Sequence, residues 1–544
     1  MTTQTFDYVV VGAGHNGLSA GATLAASGRT VCVLEQLPIP GGLSASHAYL
    51  PEAPDHLLSL GAMDDMFMAQ TPLAAELGLR RHGYETIPLD HPYGWVDEDG
   101  ETLLLWRDPR RAVEEIRHFS HADARTYADL QGPINWVMDL VDQLFIQHPS
   151  AWGKRDFARY LLRHRPDRAT RRLLGQLATL NAFEWISETF ESDAMRGLWA
   201  YWSSMIGPSD AIGSGAYVLG FAGVHRGPGV VRPRGGMTSL VRAMQGVLEE
   251  NGGELRLESA VAEILVEGGR AVGVRLQDGS TVHARHGVLS NLAPQVTFGP
   301  LLAPEHLTRT EHNRVAMVPS NSINVAAFKI DMATGGRIGF PAAELRRKRR
   351  DDADVRKATL MTGTLEDHIA QMRAMRVGLN TENPPVYMAI LSAVDPTIAP
   401  EGGDVLYLNS NVPLRPDGGW ETAKDSITDA VWKSAQRFLG GTDTEIGRVV
   451  TSPADFESRF AAPAGAFFHV DMLVNRLGAL RPARGFGGYD TPVAGLYLAG
   501  AAAHPSGGVT GWPGRLAAQH ALHREDRTPR AATHQRWSAS PSHG

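Results

Sequence analysis

Apolar and polar positions follow two periods along this chain, and the switches between them outline its elements. Residues 6–11, FDYVVV, are a short, β-branched apolar run closed by glycine, which predicts a strand buried on both faces. Residues 15–27 read as a helix, and residues 30–35, TVCVLE, repeat the buried-strand pattern. Together they predict a βαβ unit about thirty residues long. A loop-rich segment follows from PIPGG to about Gly61, and residues 110–205 carry Trp, Leu and Arg at helical spacing. Residues 213–236, rich in glycine and proline, read as a crossing loop, and Thr238 to Glu250 as a helix. A β-meander is predicted next, where apolar and polar residues alternate around the turn signals EGGR and QDGS. Its last strand, 286–290, returns to the main sheet. Residues 320–455 alternate strands and helices. Residues 495–500, GLYLAG, form one more short buried strand, and 513–523 the final helix. From Arg524 onward the tail is polar and is expected to be disordered.

Dinucleotide-type signals thus stand at the start, the middle and the end of the chain, with other material between them. One nucleotide domain is expected to be assembled from segments 1–75, 226–300 and 456–523. A substrate, or cap, domain would come from 76–225, expected to be helical, and 301–455, leaving 524–544 as tail.

The first glycines are Gly12, Gly14 and Gly17, spaced G-x-G-x-x-G after a strand and before a helix. Gly12 permits the tight turn, Gly14 lets the backbone approach a pyrophosphate, and Gly17 lets the helix pack on the sheet. The helix N-terminus offers N–H groups and partial positive charge to the phosphates. Glu35 closes the second strand, where a carboxylate can accept hydrogen bonds from ribose hydroxyls and would repel a 2′-phosphate. Gly41 and Gly42 follow, and would let a second loop pass close to the pyrophosphate; an ordinary Pro-Gly turn is the plainer reading of that pair. Near the C-terminus a strand ends at Gly500, and a loop with Gly507, Gly508, Gly511 and Gly514 leads into the last helix. The N-terminus of that helix would face a planar ring lodged in the loop.

Length and charge narrow the classes. At 544 residues, two or three domains are expected. The net charge, 52 − 59 = −7, is mild and argues against nucleic acid as the main partner. The single cysteine, Cys32, excludes an intramolecular disulfide and a dithiol redox pair, and fits a reducing cytoplasm. No basic segment precedes the first apolar stretch and no apolar run reaches about 18 residues. Neither a signal peptide nor a membrane-spanning helix is therefore expected. Peripheral membrane contact stays open.

Four stretches carry a resemblance: VVGAGHNGLSAGATLAASGRTVCVLEQ with its PGG, RPRGGMTSLVRAM, AVAEILVEGGRAVGVRLQDGS and TPVAGLYLAGAAAHPSGGVTGWPGRLAA. From about residue 6 to 523 the chain resembles the phytoene desaturase-related flavoproteins, in their phytoene dehydrogenase-like branch. The match is strong at both ends and weaker across 110–225. The resemblance implies an α/β fold: a Rossmann-type FAD-binding domain of the amine oxidase and GDP-dissociation-inhibitor type, with a mixed α+β cap inserted. It implies non-covalent FAD. Gly12, Gly14 and Gly17 would hold the pyrophosphate, Glu35 the AMP ribose, and Gly41, Gly42 and Leu43 the linker. Val261 would meet the adenine through its backbone. Gly500, Gly508 and Val509 would lie against the flavin, and Gly61 and Ala62 would approach the ring. Amine oxidases tend to carry arginine after the double glycine; here Leu43 and Ser44 follow, which favours the desaturase-like branch.

Flavin-dependent desaturation asks little of the protein beyond a base that takes a proton. His504, in AAAHPSGG, and His469, with Asp471 in GAFFHVDM, are the candidates for catalysis; either can equally anchor a loop. Trp199, Tyr201 and Trp202 are expected to line or pack the cap. Met63, Met66 and Met68 are expected close to the flavin, either lining an irregular apolar surface for substrate or simply packing in the core. The basic run 154–172 reads as a solvated helix face, with an anionic membrane or a carrier protein as its alternative partner. RRKRR, 346–350, reads as a surface loop neutralised by the DDAD that follows it. No metal site is expected. The leading expectation is an FAD-dependent oxidoreductase that desaturates a hydrophobic carotenoid-like or natural-product substrate by hydride transfer to flavin N5. An alkene saturase or cis–trans isomerase, and a non-redox binding protein on the same fold, are the alternatives. The oligomeric state is left open.

Overall fold

The structure, a computed structural model, describes residues 4–527. The predicted βαβ unit is present: strand Gln4–Val11, helix His15–Ala26 and strand Val31–Leu34, with the two strands parallel. The second strand is buried along its whole length, as its apolar run requires. Strand Thr281–Ser290 pairs in parallel on the other side of the first strand, and Leu496–Leu498 pairs in parallel with its C-terminal end. The meander Val261–Glu267, Arg270–Leu276 and Thr281–Ser290 is antiparallel, and Glu254–Arg256 adds to the far edge beside Val31–Leu34. The return strand begins at Thr281 and runs unbroken, so the meander and the main sheet share one strand.

Helix His15–Ala26 packs between Thr238–Glu250 and the C-terminal helix Trp512–Arg527. The last of these exceeds its expected end. It stays helical past Arg524 because Glu525 accepts hydrogen bonds from the Tyr8 hydroxyl (3.1 Å) and from Arg29 (3.0 Å), tying it to the first strand and its turn. The rest of the expected disordered tail, 528–544, lies outside the described residues.

A second seven-stranded sheet is built from Tyr93–Val96, Thr102–Leu105, Val325–Thr334, Thr359–Met361, Tyr387–Ile390, Asp404–Pro413 and Glu445–Thr451. Its longest pair, Val325–Thr334 with Asp404–Pro413, is antiparallel from end to end. Segment 76–225 therefore carries two strands of this sheet beside the helices that run from Pro109 to Ile206.

Two sequence expectations are corrected here. Residues 213–236 are not simply a crossing loop: Ser214–His225 is a 3₁₀ helix, and Val231–Pro233 is a short strand. Val218, Phe221 and Val224 recur every three residues and are all buried, so the tighter three-residue turn suits this glycine-rich segment better than an α-helix. The basic run 346–350 is not a surface loop but the end of helix Pro341–Arg350. Arg347 is only 1% exposed and donates to Glu115 at 2.6 Å, while Arg350 reaches the same carboxylate at 2.9 Å. Asp351 takes a further bond from Arg347, so DDAD supplies only part of the neutralisation. A buried carboxylate held by two guanidiniums is a long-range device that local charge patterning does not reveal. Helix Lys154–Arg163, by contrast, buries none of its residues.

Candidate active site

A cavity of about 1030 Å³, mouth included, opens where the first strand meets its helix. Gly12, Gly14, Glu35, Gly41, Gly42, Leu43 and Val261 line it. The turn is glycine for a backbone reason: Gly12 has φ +92° and Gly41 φ +108°, both left-handed. Gly17 lies behind the wall. A Cβ there would stand 2.0 Å from the Gly12 carbonyl oxygen, so the third glycine fixes helix against turn. Glu35 is buried at one end and accepts N–H bonds from Ala13 (2.8 Å) and Leu37 (3.0 Å). Burial pushes its carboxyl up, and those N–H bonds oppose the rise.

A second cavity of about 1170 Å³ adjoins the first. His15, Leu43, Phe467 and Ala501 line both. Gly61, Ala62, Gly508 and Val509 line the second alone, so the two segments expected near the ring meet on its wall. Gly500 does not line it; a Cβ there would lie 2.3 Å from the Asn291 carbonyl oxygen, so its role is close packing at the strand end. The remaining wall comes from the second sheet and the cap: Tyr93, Ala327, Lys329, Tyr387, Tyr407, Asn409 and Trp202. Trp202 stacks on Phe221 with centroids 4.7 Å apart. Trp199 meets the same Phe221 edge-on at 5.0 Å and packs on its other sides against Trp185 and Phe190, and the Tyr201 hydroxyl donates to the Asn409 carbonyl at 2.9 Å. Met63 and Met66 line the cavity, but Met68 turns into the core of the nucleotide domain.

The two candidate histidines are not equivalent. His469 lines the first cavity with its Nδ1 unpartnered, on a backbone at φ +61°. Its pKa falls to about 4 through burial, with the nearby Arg481 and His15 adding to the fall. His504 lines neither cavity. Its Nε2 lies 3.1 Å from the Leu144 carbonyl and 2.9 Å from that of Gln147, which makes it an anchor between the C-terminal loop and the cap. Burial lowers its pKa to about 4 as well. Its Nδ1, like that of His469, has no partner, but its ring lines neither cavity. Asp471 accepts from Asn321 N–H (2.7 Å) and from the Ser322 hydroxyl (2.5 Å), bracing the His469 loop.

Sequence reasoning missed three groups. His15, inside the glycine motif, sits at the junction with Nε2 3.0 Å from the Gly508 carbonyl and Nδ1 2.9 Å from the Ser44 hydroxyl. It couples the first glycine loop to the last, and burial lowers its pKa to about 4. Asn291 follows the return strand and donates to the Gly12 carbonyl at 3.3 Å. Its position immediately after a predicted strand end was the available signal. The polar side chains of the second cavity, Lys329 above all, lie in a segment whose sequence carries no motif.

The first cavity fits an extended dinucleotide. The N-terminus of helix His15–Ala26 has no side-chain cap, and the Oδ1 of buried Asn16 on that same turn has no partner. Uncapped N–H groups above a glycine turn suit a diphosphate. The sequence profile of the flavin containing amine oxidoreductases matches residues 17–334. The chain belongs to this family. As a flavin containing amine oxidoreductase it is 30% identical to the mouse pyridine nucleotide-disulfide oxidoreductase domain-containing protein 2, over 96% of this chain and 94% of that one. It is 26% identical to the neurosporene-forming phytoene desaturase of Rhodobacter capsulatus, over 92% of this chain and 90% of the relative. Among solved structures it shares the fold of cyclohexylamine oxidase from Brevibacterium oxydans, with a TM-score of 0.58 and 17% identity, covering 96% of this chain and 100% of that one. The chain is thus a phytoene desaturase-related, FAD-dependent oxidoreductase of α/β fold, and FAD is its cofactor. Among the described residues, no group of acidic, histidine or cysteine side chains could hold a metal, and no helix is long and apolar enough to cross a membrane.

Proposed function

We propose that this oxidoreductase dehydrogenates a carbon–carbon bond of a hydrophobic carotenoid-like or natural-product substrate. The observation that carries the reading is the apolar cavity joined to the dinucleotide cavity through His15, Leu43, Phe467 and Ala501. Leu43 and Ser44 after the double glycine support the same branch. Bound FAD supplies the two-electron acceptor, with N5 as the site of hydride arrival.

The chain's own residues would bind and orient. Gly12, Gly14 and the start of helix His15–Ala26 would hold the pyrophosphate; Glu35 would accept from the AMP ribose; Gly41, Gly42 and Leu43 would cover the linker; Val261 would meet the adenine. Gly61, Ala62, Gly508 and Val509 would bracket the ring, with Gly17 and Gly500 setting the walls behind. Met63, Met66, Phe467 and Trp202 would exclude water from the reacting carbons. Among the described residues that line the apolar cavity, both nitrogens of His15 are engaged, and Asp64 is held by Arg232 at 2.8 Å. His469, which lines the adjoining cavity with its Nδ1 unpartnered, would be the residue left to take the proton from the carbon next to the one that gives up hydride.

Anaerobic mixing of the holoenzyme with hydrophobic substrates that carry saturated carbon–carbon bonds next to double bonds tests the reading. Bleaching of the flavin band near ~450 nm with formation of a new double bond is the expected result. Reoxidation of chemically reduced enzyme by alkenes, with no bleaching by saturated compounds, would favour the saturase instead. Delivery of a lipid-borne substrate would call for peripheral membrane contact at a cytoplasmic surface, and failure to float with anionic liposomes would remove that part of the proposal.

A further inference from the structure

The apolar cavity carries a row of polar groups that a hydrocarbon has no use for. Lys329, Asn409 and Tyr387 stand on three adjacent strands of the second sheet: Lys329 is paired with Asn409, and Asn409 with Tyr387. All three line the cavity. Strand alternation places Ala327 and Tyr407 on the same face, and both line it too. Strands lie about 4.8 Å apart, so the row spans roughly 10 Å of cavity floor.

Neighbouring polar groups are satisfied from within. The Tyr407 hydroxyl donates to the Gly61 carbonyl at 2.9 Å, and the Asn411 amide to the Ser204 carbonyl at 3.0 Å. The row is different. Among the described residues, neither the Asn409 carboxamide nor the Tyr387 hydroxyl has a hydrogen-bond partner. Lys329 is 1% exposed; its ammonium donates to the Ser59 carbonyl and to Asp331, and lies 4.4 Å from the Tyr407 ring centroid. An ammonium has three N–H donors, so one remains beyond these two acceptors. Burial and the neighbouring Tyr93 hold the Tyr387 phenol well above its ordinary pKa, which keeps it a donor. These groups open onto the cavity with donors and acceptors free, so a ligand that presents an oxygen there can hydrogen-bond them. The charges also matter. Lys329 is balanced by Asp331 and Arg232 by Asp64, so an entering carboxylate meets no unpaired cation.

We propose that Lys329, Asn409 and Tyr387 hydrogen-bond a neutral oxygen function of the substrate, a ketone or an alcohol, so that the substrate class is an oxygenated apolar molecule rather than a plain hydrocarbon. The inference rests on the proposed function, in which substrate occupies this cavity beside the flavin. It makes these three specificity-determining residues and gives the substrate a fixed end and a fixed direction across the floor.

Limonene, carvone and perillyl alcohol share one carbon skeleton and differ in oxygen. Each is titrated into the FAD-loaded enzyme while the visible flavin spectrum is followed. Carvone or perillyl alcohol is expected to bind at least about tenfold more tightly than limonene, and Lys329→Met to bring that ratio within about threefold. Because the methionine leaves Asp331 buried without its cation, Tyr387→Phe and Asn409→Leu are measured in parallel; each is expected to lower the ratio with the unliganded flavin spectrum unchanged. Equal affinities for limonene and both oxygenated compounds, or a ratio that no variant changes, overturn the inference and leave the oxidoreductase reading standing. A flavin spectrum that none of the three compounds perturbs also overturns the inference, and bleaching by a larger hydrophobic substrate would then leave the proposed function standing.

Discussion

The first cavity is bounded at the strand–helix junction by two glycine turns, whereas the apolar cavity beside it takes much of its wall from side chains standing on a second sheet. In the first, Gly12 and Gly41 adopt left-handed backbone, and just behind the wall a Cβ at Gly17 would stand 2.0 Å from the Gly12 carbonyl oxygen, so these turns have no room for a side chain. In the second, Met63, Met66, Trp202 and Phe467 provide volume that other residues of similar size could provide. One cavity is specified by what the chain omits, the other by what it projects. The first should therefore fail abruptly on substitution and the second by degrees.

The largest effect is expected from Gly17→Ala. With its Cβ 2.0 Å from a backbone oxygen, helix and turn must part, and the protein should purify without its visible flavin band and with FAD affinity down at least about 100-fold. Normal flavin content in this variant would break the contrast. Acid comes next. His15, His368, His469 and His504 are buried with pKa values lowered to about 4. A lowered folded pKa means that the unfolded chain binds more protons between about 6.5 and about 4, so each histidine stabilises the fold above that window and loses its contribution as pH falls through it. The effect is on the order of 3 kcal/mol per histidine. Asp65, raised to about 6 by burial, works in the opposite sense and offsets part of the loss. Two of the four histidines wall the dinucleotide cavity, so FAD fluorescence should rise at a higher pH than the unfolding transition seen by circular dichroism. Coincident transitions would contradict the assignment.

Trp202→Ala probes the tolerant side. It deletes the stack on Phe221 and should cost about 3 kcal/mol of stability by denaturant titration. FAD content should be kept and KM for a turned-over substrate raised about tenfold. Loss of FAD in this variant would mean that the cavities are not separable. The smallest effect is expected from Glu35→Gln, which keeps shape but offers one acceptor oxygen where Ala13 and Leu37 now use two. FAD affinity should fall about tenfold, or about 1.4 kcal/mol by calorimetry, with the fold intact.

Much of the nucleotide half is legible in the sequence. Its strands are continuous apolar runs, its turns are glycines at fixed spacing, and Thr238–Glu250 is a helix over the predicted residues. These are local signals, set by backbone sterics and by burial of single elements. The same logic fails where the cause is distant. RRKRR reads as surface because charge normally stays in water, and only the fold brings Glu115 to Arg347. His504 is attractive as a base because it sits in the flavin-type loop, yet the cap offers it two carbonyls.

The βαβ unit, the meander, the return strand and a dinucleotide-type turn at each end of the chain follow from the order of residues, because near neighbours suffice to dictate each of them. The apolar cavity is a product of packing between distant segments. Lys329, Asn409 and Tyr387 become one row only through cross-strand pairing, and His15 reaches Gly508 only when the first and last segments share a sheet. Register and long-range packing bring such residues together, and neither is written in the spacing of any one segment.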